Sequence, residues 1–237
     1  FFQAEDGIRD VAVTGVQTCA LPIYGEPLRV WVPGCATGEE AYSVAMLLVD
    51  ALGDRTSRVP VRVFASDIDE AAIALARQGV YPREALQDMA PDLVARHFVA
   101  DERGVRVSRE LRDVCVFAHH DLLSHPPFVN LDLVSCRNVM IYFQPAVQAD
   151  VLAKFHYALR PDGHLLLGQS ESVGAQAELF AVLDAAGRIY RKRPVPTPRQ
   201  HSLLYGWRPF SQQPRGTPGM LPPSRQAVED HFHQHLL

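Results

Sequence analysis

Leu28-Arg-Val-Trp-Val-Pro-Gly-Cys-Ala-Thr-Gly-Glu-Glu-Ala-Tyr-Ser-Val-Ala-Met-Leu-Leu48 changes character twice along its length. Val30-Trp31-Val32 is β-branched and aromatic, which predicts a strand. Gly34-Cys-Ala-Thr-Gly38 breaks it, because two glycines so close together supply backbone conformations that other residues avoid. Ala41, Val44, Ala45, Leu47 and Leu48 then recur at helical spacing. Strand, glycine turn and helix form the opening unit of a nucleotide-type α/β site, where backbone can approach a ligand closely and the helix start offers unpaired N–H groups. Glu39 and Glu40 follow the turn directly and are the first clue to which ligand the site takes.

The rest of the chain repeats the alternation. Val61-Arg-Val-Phe-Ala65 reads as a second strand running into Ser66-Asp67-Ile68-Asp69, followed by an alanine-rich helix that stops at Gly79. Val114-Cys-Val-Phe117 and Asn130-Leu-Asp-Leu-Val-Ser135 read as the third and fourth strands, and His164-Leu-Leu-Leu-Gly168 as the fifth. A helix is expected over about 145–159, with Val147, Val151, Leu152, Phe155 and Leu159 on one face. Phe180–Leu183 and Arg188–Lys192 would close the sheet as an antiparallel pair. This order predicts an α/β fold: a mostly parallel, Rossmann-like sheet covered by helices on both faces. Residues 80–112 alternate poorly and read as a small insertion, with a short helix over Met89–Phe98 and a polar-alternating strand over Val105–Leu111.

The chain has 237 residues, 47% of them hydrophobic and 21% charged, enough for one domain with a substantial core and some excess. A net charge of −4 gives no drive toward nucleic acid. The four cysteines form no C-x-x-C pair and read as reduced thiols. With no apolar run long enough to cross a membrane, the expectation is a cytoplasmic protein without membrane insertion. Cys115, His119 and His120 lack a second pair at zinc spacing, so no metal site is expected. His125-Pro-Pro-Phe128 mimics a motif of amino-methylating enzymes, but it precedes the fourth strand instead of following it and reads as a loop.

The two ends read differently from the middle. Gly7-Ile-Arg-Asp and Gly15-Val-Gln-Thr-Cys-Ala-Leu-Pro-Ile23 resemble translated sequencing-adapter sequence, so residues 1–23 are read as non-native and native sequence upstream is expected to be missing. Residues 194–223 hold eight prolines and read as an extended linker. Residues 224–237 restart a helical pattern, with His231, His233 and His235 on a solvated face, and read as the start of a further helical or sensor module.

Ligands of such sheets lie beyond the carboxyl ends of the strands. Those ends carry Gly34–Gly38 with Glu40, then Asp67, then Asp121-Leu122, then Arg137-Asn138 with Tyr142. A carboxylate suits ribose hydroxyls, and further acceptors suit an amino group and an adenine amine. There is no G-x-x-x-x-G-K-[ST] and no G-x-G-x-x-G. Acids at several strand ends without phosphate machinery point to S-adenosylmethionine.

Trp31–Ser43, Phe64-Ala-Ser-Asp-Ile-Asp69, Cys136-Arg-Asn-Val-Met-Ile-Tyr-Phe143, Leu159-Arg-Pro-Asp-Gly-His-Leu-Leu166 and Gly168-Gln-Ser-Glu-Ser172 together resemble the chemotaxis receptor methyltransferase (CheR-type) family over about residues 27–193. The resemblance implies a class I S-adenosylmethionine-dependent methyltransferase domain over 24–193 that esterifies glutamate side chains on a chemoreceptor or related signalling protein. By position it implies cofactor contacts at Gly34, Glu40, Asp67, Asp121, Leu122, Arg137 and Asn138. It implies catalytic roles for Tyr142 and Arg137. Asp121 stands where the family has asparagine. The family's further substrate-aiming arginine lies upstream of the region corresponding to Leu28, so this chain is expected to bind cofactor weakly and methylate poorly. Fusion to methylesterase and sensor domains is a further expectation. The alternative reading is a non-catalytic module that binds S-adenosylmethionine or its product within a sensor protein.

Overall fold

The computed structural model describes residues 27–57 and 59–198. The readings made for 1–23, for most of the proline-rich linker and for 224–237 lie outside the described residues. Five strands run parallel: β1 (Leu28–Pro33), β2 (Val61–Asp67), β6 (Cys115–His119), β7 (Leu131–Cys136) and β8 (Leu159–Leu167). β9 (Phe180–Asp184) and β10 (Ile189–Lys192) complete a seven-stranded sheet in the order β6-β2-β1-β7-β8-β10-β9. β10 runs antiparallel to both its neighbours, as the expected closing pair requires.

Helices α1 (Glu39–Leu52), α2 (Glu70–Gln78), α3 (Pro91–His97), α4 (Arg109–Val114) and α5 (Pro145–Ala158) cover the sheet. Alternation along β1 sends its residues to opposite faces. Val30 and Val32 pack in one cluster with Ala41, Val44, Leu48 and Ile73 from α1 and α2. Trp31 packs in another with Leu152 and Phe155 of α5. The Trp31 indole is fully buried, and its N–H donates to Ser66 Oγ at 2.9 Å, so the ring fills the core without an orphaned donor.

Asp69 caps α2 by accepting from Ala71 and Ala72 amides, and Gly79 ends the helix in a left-handed conformation. Residues 80–112 contain a second, three-stranded antiparallel sheet, β3 (Val80–Tyr81), β5 (Gly104–Val107) and β4 (Phe98–Asp101). The strand expected over Val105–Leu111 ends early. Ser108 accepts from the Leu111 amide and starts α4, so a helix cap overrides the alternating pattern. The strand expected from His164 starts earlier, at Leu159, and β8 pairs with β7 through an irregularity, with Asp162 left-handed.

Candidate functional site

The five parallel strands end on one side of the sheet, and their ends hold the residues singled out in the sequence. After β1 the chain turns through Gly34 (φ 69°) and Gly38 (φ 96°). A Cβ at Gly34 would lie 2.3 Å from Val139 Cγ2, so this turn sits directly against the chain leaving β7. Asp67, at the end of β2, accepts the Ala36 amide on Oδ2 at 2.8 Å and the Asp69 amide on Oδ1 at 2.9 Å. It therefore braces the glycine turn, and each oxygen keeps a second lone pair for a ligand hydroxyl.

Glu40 occupies the first turn of α1 and is half-buried. Ser135 Oγ, at the end of β7, donates to Glu40 Oε1 at 2.6 Å. Burial pushes the Glu40 carboxyl from 4.5 up to about 7, against the opposing pull of the Ser135 bond and the Arg137 charge; Glu171 adds to the rise. A carboxylate held in a poorly solvated place favours an approaching cation. Glu39 is turned the other way, with both oxygens accepting from the Thr37 hydroxyl. Cys35 lies in the same turn, but burial, reinforced by Asp67, pushes its thiol up to about 12, so it is no thiolate nucleophile.

After β6, Asp121 folds back on its own turn: Oδ1 accepts the Leu123 and Ser124 amides at 2.8 and 3.4 Å, and Oδ2 accepts the Ser124 hydroxyl at 2.7 Å. Burial pushes this carboxyl up, but those bonds outweigh it and hold it below its usual range. The Leu122 side chain is buried. His125-Pro-Pro-Phe128 lies in the loop between β6 and β7, where Phe128 stacks on Phe64 and on His120.

After β7 come Arg137 and Asn138, the latter left-handed at φ 59°. Met140–Tyr142 form one turn of 3-10 helix. Tyr142 is 68% exposed, so its ring is no part of the core and its side chain is open to solvent. The expected site residues therefore all fall on four adjoining strand ends, with Glu40 and Arg137 electrostatically coupled.

Three residues at the site were not foreseen. Ser135 holds Glu40. Glu171, buried after β8, accepts from the amides of Gly168, Asn138, Val139 and Met140. Lys154 of α5, also buried, donates to the carbonyls of Leu122, Leu123 and His125 at 2.5, 3.0 and 3.2 Å. Two of them left a trace in the sequence: Lys154 lies three residues after Val151 and four before Ala158, on the apolar arc of the helix, and Glu171 falls within the Gly168–Ser172 stretch of the family resemblance. Among the described residues no group of three or more His, Cys, Asp or Glu side chains is placed to hold a metal ion. No helix among them is long and apolar enough to cross a membrane.

The family model for the CheR methyltransferase SAM-binding domain matches residues 11–189. Chemotaxis protein methyltransferase from Escherichia coli (strain K12) is 42% identical over 150 residues, covering 61% of this chain and 52% of that protein. Chemotaxis protein methyltransferase 2 from Pseudomonas aeruginosa is 41% identical over 152 residues, covering 62% of this chain and 54% of the relative. An uncharacterised 104.1 kDa protein from Rhodobacter capsulatus is 39% identical over 193 residues, which are 81% of this chain and 20% of that protein. The chain thus spans about half the length of the two chemotaxis methyltransferases and a fifth of the Rhodobacter protein.

Proposed function

The chain belongs to the CheR methyltransferase family, and from that premise we propose that it transfers the methyl group of S-adenosylmethionine to glutamate side chains of chemoreceptors or related signalling proteins. The observation that carries this reading is Glu40: a half-buried acid coupled to Arg137, bonded to Ser135, and standing where the first helix meets the strand ends. Such an acid has little reason to be ionised unless a cation arrives, and the cofactor's amino-acid portion carries one. Asp67 suits the ribose hydroxyls, because its second lone pairs remain after it has braced the turn. The turn from Asp121 through Leu122 suits the adenine, and Arg137-Asn138 complete the set.

The bound cofactor supplies a methyl group activated by a sulfonium. The protein's part is positioning. A glutamate substrate is already ionised at neutral pH, its reference pKa being about 4.3, so no general base is needed. What remains is to bring the carboxylate in line and to exclude misaligned approaches. Tyr142, exposed beside the strand ends, can donate a hydrogen bond that aims the carboxylate, and Arg137 offers the positive charge that draws it in. Proteins of the receptor-signalling class are the proposed partners, and fused methylesterase or sensor domains would place the site within a larger signalling chain.

The test is transfer of radiolabelled methyl from S-adenosylmethionine to receptor cytoplasmic domains by the purified 237-residue chain. Label should be released as methanol by mild base, and Tyr142→Phe should reduce the rate about tenfold or more. Base-stable label would overturn carboxyl chemistry. Tight S-adenosylhomocysteine binding with no label in any receptor glutamate would favour a non-catalytic binding module instead.

A further inference from the structure

Glu171 has no assigned part in the site, yet it is the most heavily bonded carboxylate near it. It is 5% exposed. Oε2 accepts the Gly168 amide at 2.7 Å and the Asn138 amide at 3.1 Å, while Oε1 accepts the Val139 amide at 3.0 Å and the Met140 amide at 2.8 Å. A carboxylate buried without partners is strongly disfavoured, whereas one held by converging amides is satisfied and rigid. The left-handed Asn138 is what lets three successive N–H groups point at one place, the arrangement that elsewhere cradles a bound anion. Here the chain supplies its own anion. The fit is close: a Cβ on Gly168 would lie 2.6 Å from Oε2.

The turn gripped in this way begins at Arg137 and ends at Tyr142. Its far side is held separately. Gln148 Nε2 donates to the Met140 and Phe143 carbonyls, each at 3.0 Å, and the Phe143 amide donates to Met140 O at 3.0 Å. Glu171 on one side and Gln148 on the other leave the backbone of residues 138–143 little freedom, although the Tyr142 side chain is largely exposed.

We propose that Glu171 is the positioning residue of methyl transfer: its carboxylate, by holding four amides across the ends of β7 and β8, sets the Arg137–Tyr142 turn in the geometry that aims the substrate. This rests on the reading of Arg137 and Tyr142 given above. Glu171 touches neither substrate nor cofactor in this scheme. It acts through the turn, as a preorganised support for groups that must be placed within a fraction of an ångström. Glutamine at this position has the same shape but presents an NH2 group to backbone donors, so at least one pair of amides loses its acceptor.

The experiment uses the 237-residue chain and its Glu171→Gln variant, with S-adenosylhomocysteine affinity by calorimetry from pH 5.5 to 8.5 and labelled methyl transfer to receptor domains. The expected result is a split. The rate constant for transfer falls about tenfold or more, while the affinity at pH 8, which Arg137 and Asn138 share with Glu40, Asp67 and Asp121 outside the turn, falls less, by about threefold. A second readout separates positioning from general loosening. Glu40 is faced by Ser135, by Arg137 and by Glu171, and its charge is also felt by the Cys35 and Cys136 thiols. Removing the negative charge of Glu171 should move the acid limb of the affinity profile to lower pH, by about half a pH unit. Transfer within about threefold of wild type in a folded Glu171→Gln chain would overturn the proposal, as would affinity falling in proportion to rate. Should Glu171→Gln fail to fold, Gln148→Leu loosens the Met140–Phe143 end of the same turn and should lower transfer more than affinity; unaltered transfer there is equally fatal. If the wild-type chain neither binds S-adenosylhomocysteine nor transfers methyl, the proposed function falls and the positioning role with it. Wild-type transfer beside an unaffected variant removes the positioning role alone.

Discussion

Replacing Glu40 with glutamine isolates the electrostatics on which the site depends. In the cofactor-free protein burial raises this carboxyl from 4.5 to about 7, the Ser135 bond and Arg137 acting against the rise and Glu171 with it. Between those values the folded chain keeps a proton that the unfolded chain has released. Stability from this group is therefore greatest below pH 4.5, falls as pH rises toward 7, and levels off above it. The rise corresponds to roughly 3 kcal/mol, or about 6–12 °C in melting midpoint for a domain of this size. Glutamine does not titrate, yet it keeps a carbonyl oxygen for the Ser135 hydroxyl. Wild type and Glu40→Gln should melt close together near pH 4.5 and diverge as pH increases, with the variant the more stable at pH 8. All other titrating groups are common to both proteins, so the difference reports Glu40. Saturating S-adenosylhomocysteine should reverse the order, because its ammonium group favours an ionised Glu40 that the variant lacks. The assay is thermal melting at half-unit pH steps, with and without ligand. Parallel curves from pH 4.5 to 8 would refute the reasoning, since they would mean that Glu40 has the same proton affinity folded and unfolded.

Two further predictions concern the supports of the site. Gly34→Ala puts a Cβ 2.3 Å from Val139 Cγ2 in a residue at φ 69°, and overpacking together with left-handed strain should cost about 2–5 kcal/mol in urea unfolding. Adding Val139→Ala should recover the overpacking part but not the backbone part; full recovery would show that φ is not strained. Lys154→Met keeps the buried stem but removes the ammonium from three carbonyls. The expected loss is about 2 kcal/mol, with faster hydrogen exchange at the Leu123 and Ser124 amides and weaker S-adenosylhomocysteine binding. Unchanged exchange there would mean that the Asp121 turn holds itself.

Much of the fold could be read from the chain because the signals are local. Val30–Val32 alternates between two cores, Asp69 sits where a cap must sit, and Gly79 stops its helix in a left-handed conformation. The acids at the strand ends were visible for the same reason: a strand's end is marked by the turn residues that follow it. Where the reading slipped, two local signals competed. At Val105–Leu111 the alternating pattern suggested a strand throughout, but Ser108 accepts from the Leu111 amide and converts the second half into a helix.

The partners of the supporting residues were illegible for a different reason. Glu171 bonds amides more than thirty positions earlier in the chain, Lys154 reaches back about as far, and Ser135 meets Glu40 from another strand altogether. No periodicity encodes such pairs. They exist because β7 lies between β1 and β8 in the sheet, bringing three strand ends together in an order different from that of the chain. The sequence by itself determined the elements, the strand-end acids and the family, since each depends on residues near one another. The tertiary structure decided which acid is shielded enough to hold its proton near pH 7, which carboxylate grips the turn carrying Tyr142, and that Tyr142 stands in solvent. Those outcomes depend on desolvation and on contacts across the sheet, and both arise only once distant segments have packed.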